Sequence, residues 1–290
     1  MDGALRIMKF KKYKMDIRFA CSPTETASMN TEALRNNFLV PSLCEADKVN
    51  LVYSHYDRLI VGGVMPVNSK PEITVDTELK AEYFLERREM GIINVGGPGN
   101  IEADGKIFET EKLDCVYLGK GTRSVSFSST DKNDPAKFFI LSAPADAVYE
   151  NAICKKANAT PVHLGSSETG NIRTIYKYIH LNGIQSCRLV MGLTVLEPGS
   201  VWNSIPPHTH TRRTEVYYYF DLPNEQRLFH FMGEPLQTRH LVVQNNDAII
   251  SPPWSVHFGC GTMNYGFIWG MSGENKAFED MDQVLVNTLQ

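Results

Sequence analysis

The feature that most constrains this chain is a long succession of short runs rich in β-branched and aromatic residues. The first half reads LVYSHYDRLIVGGVM, YFLERREMGIINV, KIFE, CVYL, SVSFSS and KFFIL, and the second RLVMGLTVL, EVYYYF, RLFHFM, RHLVVQ, AIIS and FIWGM. Gly, Pro, Asn and Asp separate the runs. Strands at this spacing pack as a sandwich or barrel. Asp104-Gly105 is the strongest hairpin signal. GGPGN at 96–100 reads as another hairpin connection, since no P-loop lysine follows it. Helix signals are sparse: one short helix over 31–38 with Thr31 as its cap, and a closing helix or arm from Glu274 to Gln290, packed on the body or on a neighbouring subunit.

The two halves are weakly alike. Arg87-Arg88-Glu89 resembles Arg212-Arg213-Thr214-Glu215, and Asp114-Cys115-Val116-Tyr117 resembles Asp247-Ala248-Ile249-Ile250. At 290 residues the chain is long enough for two such units. The expected fold is all-β, two duplicated barrels with few short helices: an N-terminal extension over 1–30, a first barrel over 31–160 and a second over 161–290 with its tail. Met8 and Met15 offer alternative starts, which leaves residues 1–14 as a loose extension. A net charge of -4 gives no positive field for nucleic acid or anionic membranes and favours a small-molecule partner. No apolar run approaches the roughly 18 residues of a transmembrane helix. Asp16 and Arg18 interrupt the stretch where a secretory signal should be apolar. Six scattered cysteines without a CxxC pair read as mostly buried thiols in a reducing cytoplasm.

Residues 206–220, PPHTHTRRTEVYYYF, carry the chemistry. His208 and His210 are two apart, so on a strand both imidazoles share a face. A turn through Arg212 and Arg213 leads into a strand on which Glu215, Tyr217 and Tyr219 share one face and Val216, Tyr218 and Phe220 the other. Histidine with carboxylate suits a first-row divalent metal. A fourth ligand, His257, follows the proline turn of SPPWSVH. The pattern HxH, Glu, then a later His resembles the metal site of the cupin superfamily. Gly199 lies further from His208 than the usual cupin glycine. His55, His163, His180 and His230 read instead as hydrogen-bonded core or surface residues. The first half has Ser124 where the second has His257, so it carries no metal site.

Beyond this motif, nearly the whole chain resembles the 4-deoxy-L-threo-5-hexosulose-uronate ketol-isomerase family. The similar segments include RNNFLV at 35–40, LVYSHYDRLIVGGVMP at 51–66, YFLERREMGIINVGG at 83–97, MGLTVLEPGSVWNSIPPHTHTRRTEVYYYF at 191–220, MGEPLQTRHLV at 232–242, AIISPPWSVHFGCGT at 248–262 and FIWGMSGEN at 267–275. The resemblance implies duplicated cupin (RmlC-like jelly-roll) barrels. It also implies a cytoplasmic homohexamer and one zinc per subunit on His208, His210, Glu215 and His257. The implied reaction of pectin catabolism converts 5-dehydro-4-deoxy-D-glucuronate into 3-deoxy-D-glycero-2,5-hexodiulosonate, an aldose-to-ketose isomerisation.

Such a reaction moves a proton from C2 to C1 through an enediol, whose oxygens a metal stabilises. Glu215 is the natural ligand to loosen and act as base, Tyr219 a hydrogen-bond donor to the enediol, and His240 a proton shuttle. Arg213 and Arg239 are the candidates to hold the substrate carboxylate. Three other activities compete: isomerisation of a related sugar acid such as 5-deoxyglucuronate, dioxygen activation by an Fe(II) cupin, and a non-enzymatic binding role.

Overall fold

The two longest of the strands that are buried at every residue are Arg88–Asn94 (REMGIIN) and Arg213–Phe220 (RTEVYYYF). A strand covered on both sides must lie between two layers. The computed structural model, which describes residues 15–290, places each inside its own seven-stranded sheet. In the first sheet the spatial order is Asp16–Arg18, Val49–Ser54, Ile60–Val64, Phe138–Pro144, Arg88–Asn94, Cys115–Leu118, Ala152–Cys154. In the second it is Pro161–Leu164, Arg173–Ile179, Val190–Leu196, Gly266–Gly273, Arg213–Phe220, Ala248–Ser251, Leu39–Val40. From second to sixth place the orders correspond strand for strand, so Arg88–Asn94 answers to Arg213–Phe220. The anticipated extension over 1–14 lies outside the described residues.

Smaller sheets cover the outer faces. Lys106–Thr110, Gly99–Ala103 and Val125–Ser129 form one; Trp202–Asn203, Phe258–Gly261, Leu228–Glu234 and Gln237–Val243 form the other. The expected duplicated cupin β-barrels do not form. Among the described residues no sheet closes on itself, and no ladder joins a large sheet to its small partner. The lobes are therefore open layered sheets. Strand runs and turns look alike in a barrel and in two facing sheets; what differs is hydrogen bonding between edge strands, which run composition does not encode.

Alternation within each strand builds two cores. Phe138 and Ile140 join Met90, Ile92, Ile101 and Phe127 beneath the first small sheet. Phe139 and Leu141 face the other way, into a core shared with Val216, Tyr218 and Met191 of the second lobe. Phe139 stacks on Tyr218 at 4.8 Å. The large sheets thus lie back to back. Gly270 lets them approach, since a Cβ there would stand 2.4 Å from Leu141 Cδ2. At one end the buried Glu89 spans the junction. Its Oε1 accepts from the backbone N–H of Arg188 (2.6 Å) and Leu189 (2.8 Å). Its Oε2 accepts from Cys187 N–H (2.6 Å) and Tyr117 O–H (2.7 Å).

Local signals fared unevenly. Asp104 (φ 49°) and Gly105 (φ 81°) turn a tight hairpin between Gly99–Ala103 and Lys106–Thr110. GGPGN does not: it carries the chain from the large sheet into the small one, and Gly97 is pressed against Asp134. The helix Thr31–Phe38 is capped by Asn30, whose side chain accepts from Ala33 N–H, rather than by Thr31. It delivers Leu39–Val40 to the edge of the second sheet, pairing with Ala248–Ser251. A second helix, Pro23–Ala27, closes a capping box between Ser22 and Glu25. The tail forms no α-helix among its described residues; it runs over the body through the two-residue strand Asp282–Gln283. Only Cys115 of the six free cysteines is fully buried. No helix among the described residues is long and apolar enough to cross a membrane.

Candidate metal centre

Glu215 sits near the start of Arg213–Phe220, between Met271 and Ser251 on the flanking strands. Both neighbours fix its backbone, and the period of two turns its side chain away from the first lobe. His208 belongs to a two-residue strand, His208–Thr209, shorter than the sequence implies; His210 follows it, and the turn at Thr211 and Arg212 returns the chain to the sheet. His257 immediately precedes Phe258–Gly261, which pairs with Leu228–Glu234 in the facing sheet. Two layers therefore supply one cluster. One donor atom from each of His208, His210, Glu215 and His257 lies within 4.8 Å of all the others.

The donors point inward for identifiable reasons. His210 Nδ1–H donates to the Arg213 carbonyl (2.9 Å), and His257 Nδ1–H to the Ser255 carbonyl (3.1 Å). Each bond leaves Nε2 with its lone pair facing the cluster, the usual way a protein orients metal-binding imidazoles. Glu215 Oε2 stands 2.8 Å from His210 Nε2 and 3.0 Å from His257 Nε2. Ligands about 2.0–2.1 Å from a tetrahedral first-row ion stand roughly 3.3 Å from one another. Burial alone would raise the Glu215 pKa, but His257 and His210 hold it well below the usual carboxylate range. Burial, with the charge of His257, pushes His208 down to about 3. His208 Nε2 and His257 Nε2 are 3.0 Å apart. Two imidazole nitrogens that close share either a proton or a metal ion, and a divalent ion would serve both together with Glu215. The cluster is able to chelate a divalent metal.

Beside it opens a cavity of about 190 Å³, with His208, Glu215, Arg173, Thr194, Tyr217 and Trp269 among its lining. Tyr217 O–H pairs with Ser204 Oγ at 2.8 Å. Arg173, half-buried, lends one Nη to the Asn171 carbonyl (3.0 Å). Burial lowers its pKa.

The remaining sequence candidates scatter. Arg213 lines the cavity, but its Nη groups donate to the carbonyls of Ala277 and Asp280, leaving Nε without a partner. Tyr219 is buried beneath the cluster, its hydroxyl 2.7 Å from His230 Nδ1, and is not in the cavity wall. Arg239 is not brought to the site: its guanidinium donates to the carbonyls of Ala27 and Met29, closing the end of the helix Pro23–Ala27. His240 is exposed on the outer face of the small sheet, near Phe229 and Phe231. Two residues were passed over. Arg173 lies opposite Leu196 in the sheet register, and nothing local to RTIYKYI announces its cavity. His230, read from sequence as a lone histidine, is wholly buried against Tyr217 and Tyr219 with Nε2 unpartnered.

Fold and site define a two-lobed all-β protein with one buried three-histidine, one-glutamate cluster beside a small cavity. The chain belongs to the KduI/IolB family, whose pattern matches residues 38–285. It is 52% identical over 268 residues to a 4-deoxy-L-threo-5-hexosulose-uronate ketol-isomerase of Lachnoclostridium phytofermentans, covering 92% of this chain and 97% of that one. A relative described as 4-deoxy-L-threo-5-hexosulose-uronate ketol-isomerase 2, of Enterococcus faecalis, is 50% identical over 276 residues, 95% of this chain and 100% of its own. Among solved structures, an IolB-like protein of Salmonella typhimurium superposes with a TM-score of 0.68 at 14% identity, covering 86% of this chain and 97% of that one. At that identity the likeness concerns the fold alone.

Proposed function

We propose that this chain is a divalent-metal-dependent ketol-isomerase converting 5-dehydro-4-deoxy-D-glucuronate into 3-deoxy-D-glycero-2,5-hexodiulosonate. The observation that carries the reading is a four-donor cluster opening on a cavity with a single lining carboxylate, Glu215, in a chain half identical to proteins named for this activity. Zinc, held by His208, His210, Glu215 and His257, fits the donor set. When bound, it supplies Lewis acidity that stabilises negative charge developing on the C1 and C2 oxygens. Glu215 Oε2 is turned to the histidine nitrogens of the cluster, which leaves Oε1 to take the C2 proton and return it at C1. The O2 hydroxyl proton passes to O1 as the carbonyl moves from C1 to C2, and no atoms are lost. Tyr217, anchored by Ser204, offers its hydroxyl from the wall.

Arg173 holds the substrate carboxylate, because it is the guanidinium of the cavity with donors to spare; Arg213 adds positive potential while its fork serves the tail. Tyr219 acts from beneath, through His230, rather than on substrate. We place the activity in the cytoplasm, in keeping with six free thiols, and propose a hexamer, which light scattering will test.

Proton NMR in D2O of freshly made substrate with the purified chain, before chelation, after it and after zinc is restored, tests the reading. Conversion should disappear and return with metal, and deuterium at C1 should appear only to the extent that the proton held on Glu215 exchanges with solvent before its return. A folded, zinc-replete protein that leaves this sugar untouched while turning over 5-deoxyglucuronate moves the assignment to the related sugar acid; oxygen uptake by an iron-loaded sample moves it to dioxygen chemistry.

A further inference from the structure

Three of the four cluster residues are fixed by the body of the second lobe. Glu215 lies inside an eight-residue strand with a partner on each side. His257 enters the facing sheet one residue later. His210 is tied to the Arg213 carbonyl. His208 differs. Its strand has two residues, and the one partner strand it has among the described residues is Asp282–Gln283 of the tail, with His208 opposite Gln283 and Thr209 opposite Asp282. Val284 N–H also donates to the Pro207 carbonyl at 2.9 Å.

Two adjacent side chains fasten the tail: Arg213, buried, donates to the carbonyls of Ala277 and Asp280, and Arg212, partly exposed, reaches the carboxylates nearest the strand that pairs with His208. Arg212 Nε donates to both carboxylate oxygens of Asp280 (2.8 and 3.0 Å), and its Nη2 to Asp282 Oδ2 (2.8 Å). Asn275 Nδ2 braces Asp280 from the other side at 2.6 Å. Phe278 packs on the core and on Trp269 at 5.3 Å, but beyond it no tail residue is buried, so the stretch that pairs with His208 is held chiefly by polar contacts. Yet Phe278, Met281 and Gln283 form part of the cavity wall.

We propose that Arg212, with Asp280 and Asp282, is a positioning latch for His208: it holds the tail against the two-residue strand, and so sets how long the metal stays bound. Opening the latch withdraws one ligand and one wall of the cavity together, while the other three ligands stay in place. His208 would be the first of the four donors to be lost to a bound metal. Metal retention and one wall of the cavity thus depend on the same contact. Because this guanidinium and Asp282 are half exposed, salt weakens the latch where it leaves a buried ion pair nearly untouched.

This inference rests on the metal reading above, and the test separates the two. The full-length chain is loaded with one equivalent of Zn2+ or Co2+, and transfer to excess chelator is followed in wild type, Arg212→Lys, Arg212→Ala, Asp282→Asn and, as a remote control, Arg123→Ala. Arg212→Ala should release metal about tenfold faster or more, Arg212→Lys should fall between it and wild type, and the control should match wild type. The Co2+ spectrum at saturation and the melting temperature of the metal-free protein should be unchanged, which a general structural defect would not allow. Added salt should speed release from wild type and not from Arg212→Ala. If Arg212→Ala does not fold, Asp282→Asn carries the decision, and its release at the wild-type rate overturns the latch. Stoichiometric metal in wild type with unaltered release in the variants sinks the latch alone; no stoichiometric binding by wild type sinks the metal reading with it.

Discussion

Glu89 lends itself to a quantitative test of how the lobes are joined. Glu89→Gln keeps the shape of the side chain but replaces one acceptor oxygen with an NH2 group. If Oε1 is lost, the N–H groups of Arg188 and Leu189 lose their acceptor; if Oε2 is lost, Cys187 N–H and Tyr117 O–H do. Either way two donors at the junction are stranded opposite a donor. An unsatisfied buried donor costs about 1–3 kcal/mol, so the substitution should destabilise the protein by about 2–6 kcal/mol. Urea unfolding followed by two probes checks it, because Trp202, Trp254 and Trp269 all lie in the second lobe. Fluorescence reports that lobe alone and far-ultraviolet circular dichroism reports both. Wild type should give coincident curves and Glu89→Gln separated ones. A shift below about 1 kcal/mol with curves still coincident would refute the claim that this carboxylate couples the lobes.

Other expectations concern the site. Glu215→Gln should abolish turnover and lower metal content measured by plasma emission, since Glu215 is a donor of the proposed metal cluster and the one carboxylate among the cavity's lining residues; full metal with full activity would remove it from both roles. Arg173→Ala should raise KM about 10- to 100-fold at unchanged metal content, the loss of a charge-assisted hydrogen bond worth about 1.5–3 kcal/mol; a fall in kcat alone would point elsewhere. Burial pushes His230 down to about 3, against about 6.5 in an unfolded chain. Between those values only the unfolded state takes the proton, so stability falls as pH falls, by up to about 1.4 kcal/mol per unit. His230→Asn should flatten that slope between pH 6 and 4 in denaturant titrations, and an unchanged slope would contradict the assignment.

How legible all this was depended on distance along the chain. Glu215 and the two histidines before it fall within eight residues, where strand period and turn length constrain one another, and the proline turn before His257 marked the return. Arg239 and His240 attracted notice because their strand lies between ligand-bearing segments in sequence. In space Arg239 reaches the helix Pro23–Ala27 and His240 faces outward, since the strand turns Leu241 and Val243 to the interior. Arg173 was invisible for the converse reason: its relation to the cavity comes from non-local sheet register. Closure was illegible too. Alternation tells which face is covered, not whether an edge strand finds a partner around the corner, and so open lobes were mistaken for barrels.

The corresponding interiors of the lobes are filled with opposite materials. Beneath the first small sheet lie Met90, Ile92, Phe138 and Ile140; the second interior holds Thr194, Glu215, Tyr217, Tyr219, His230 and His257. An interior of greasy side chains obeys rules of size alone and forgives exchange among its members, whereas an interior of hydrogen-bonding groups tolerates few neighbours. Over generations the two halves should therefore drift at different tempos, the first freely among aliphatic and aromatic residues, the second scarcely at all. To the half without a donor cluster falls the office of a keel: its large sheet lies along the back of its twin's, and that seam is made of side chains that need no ion.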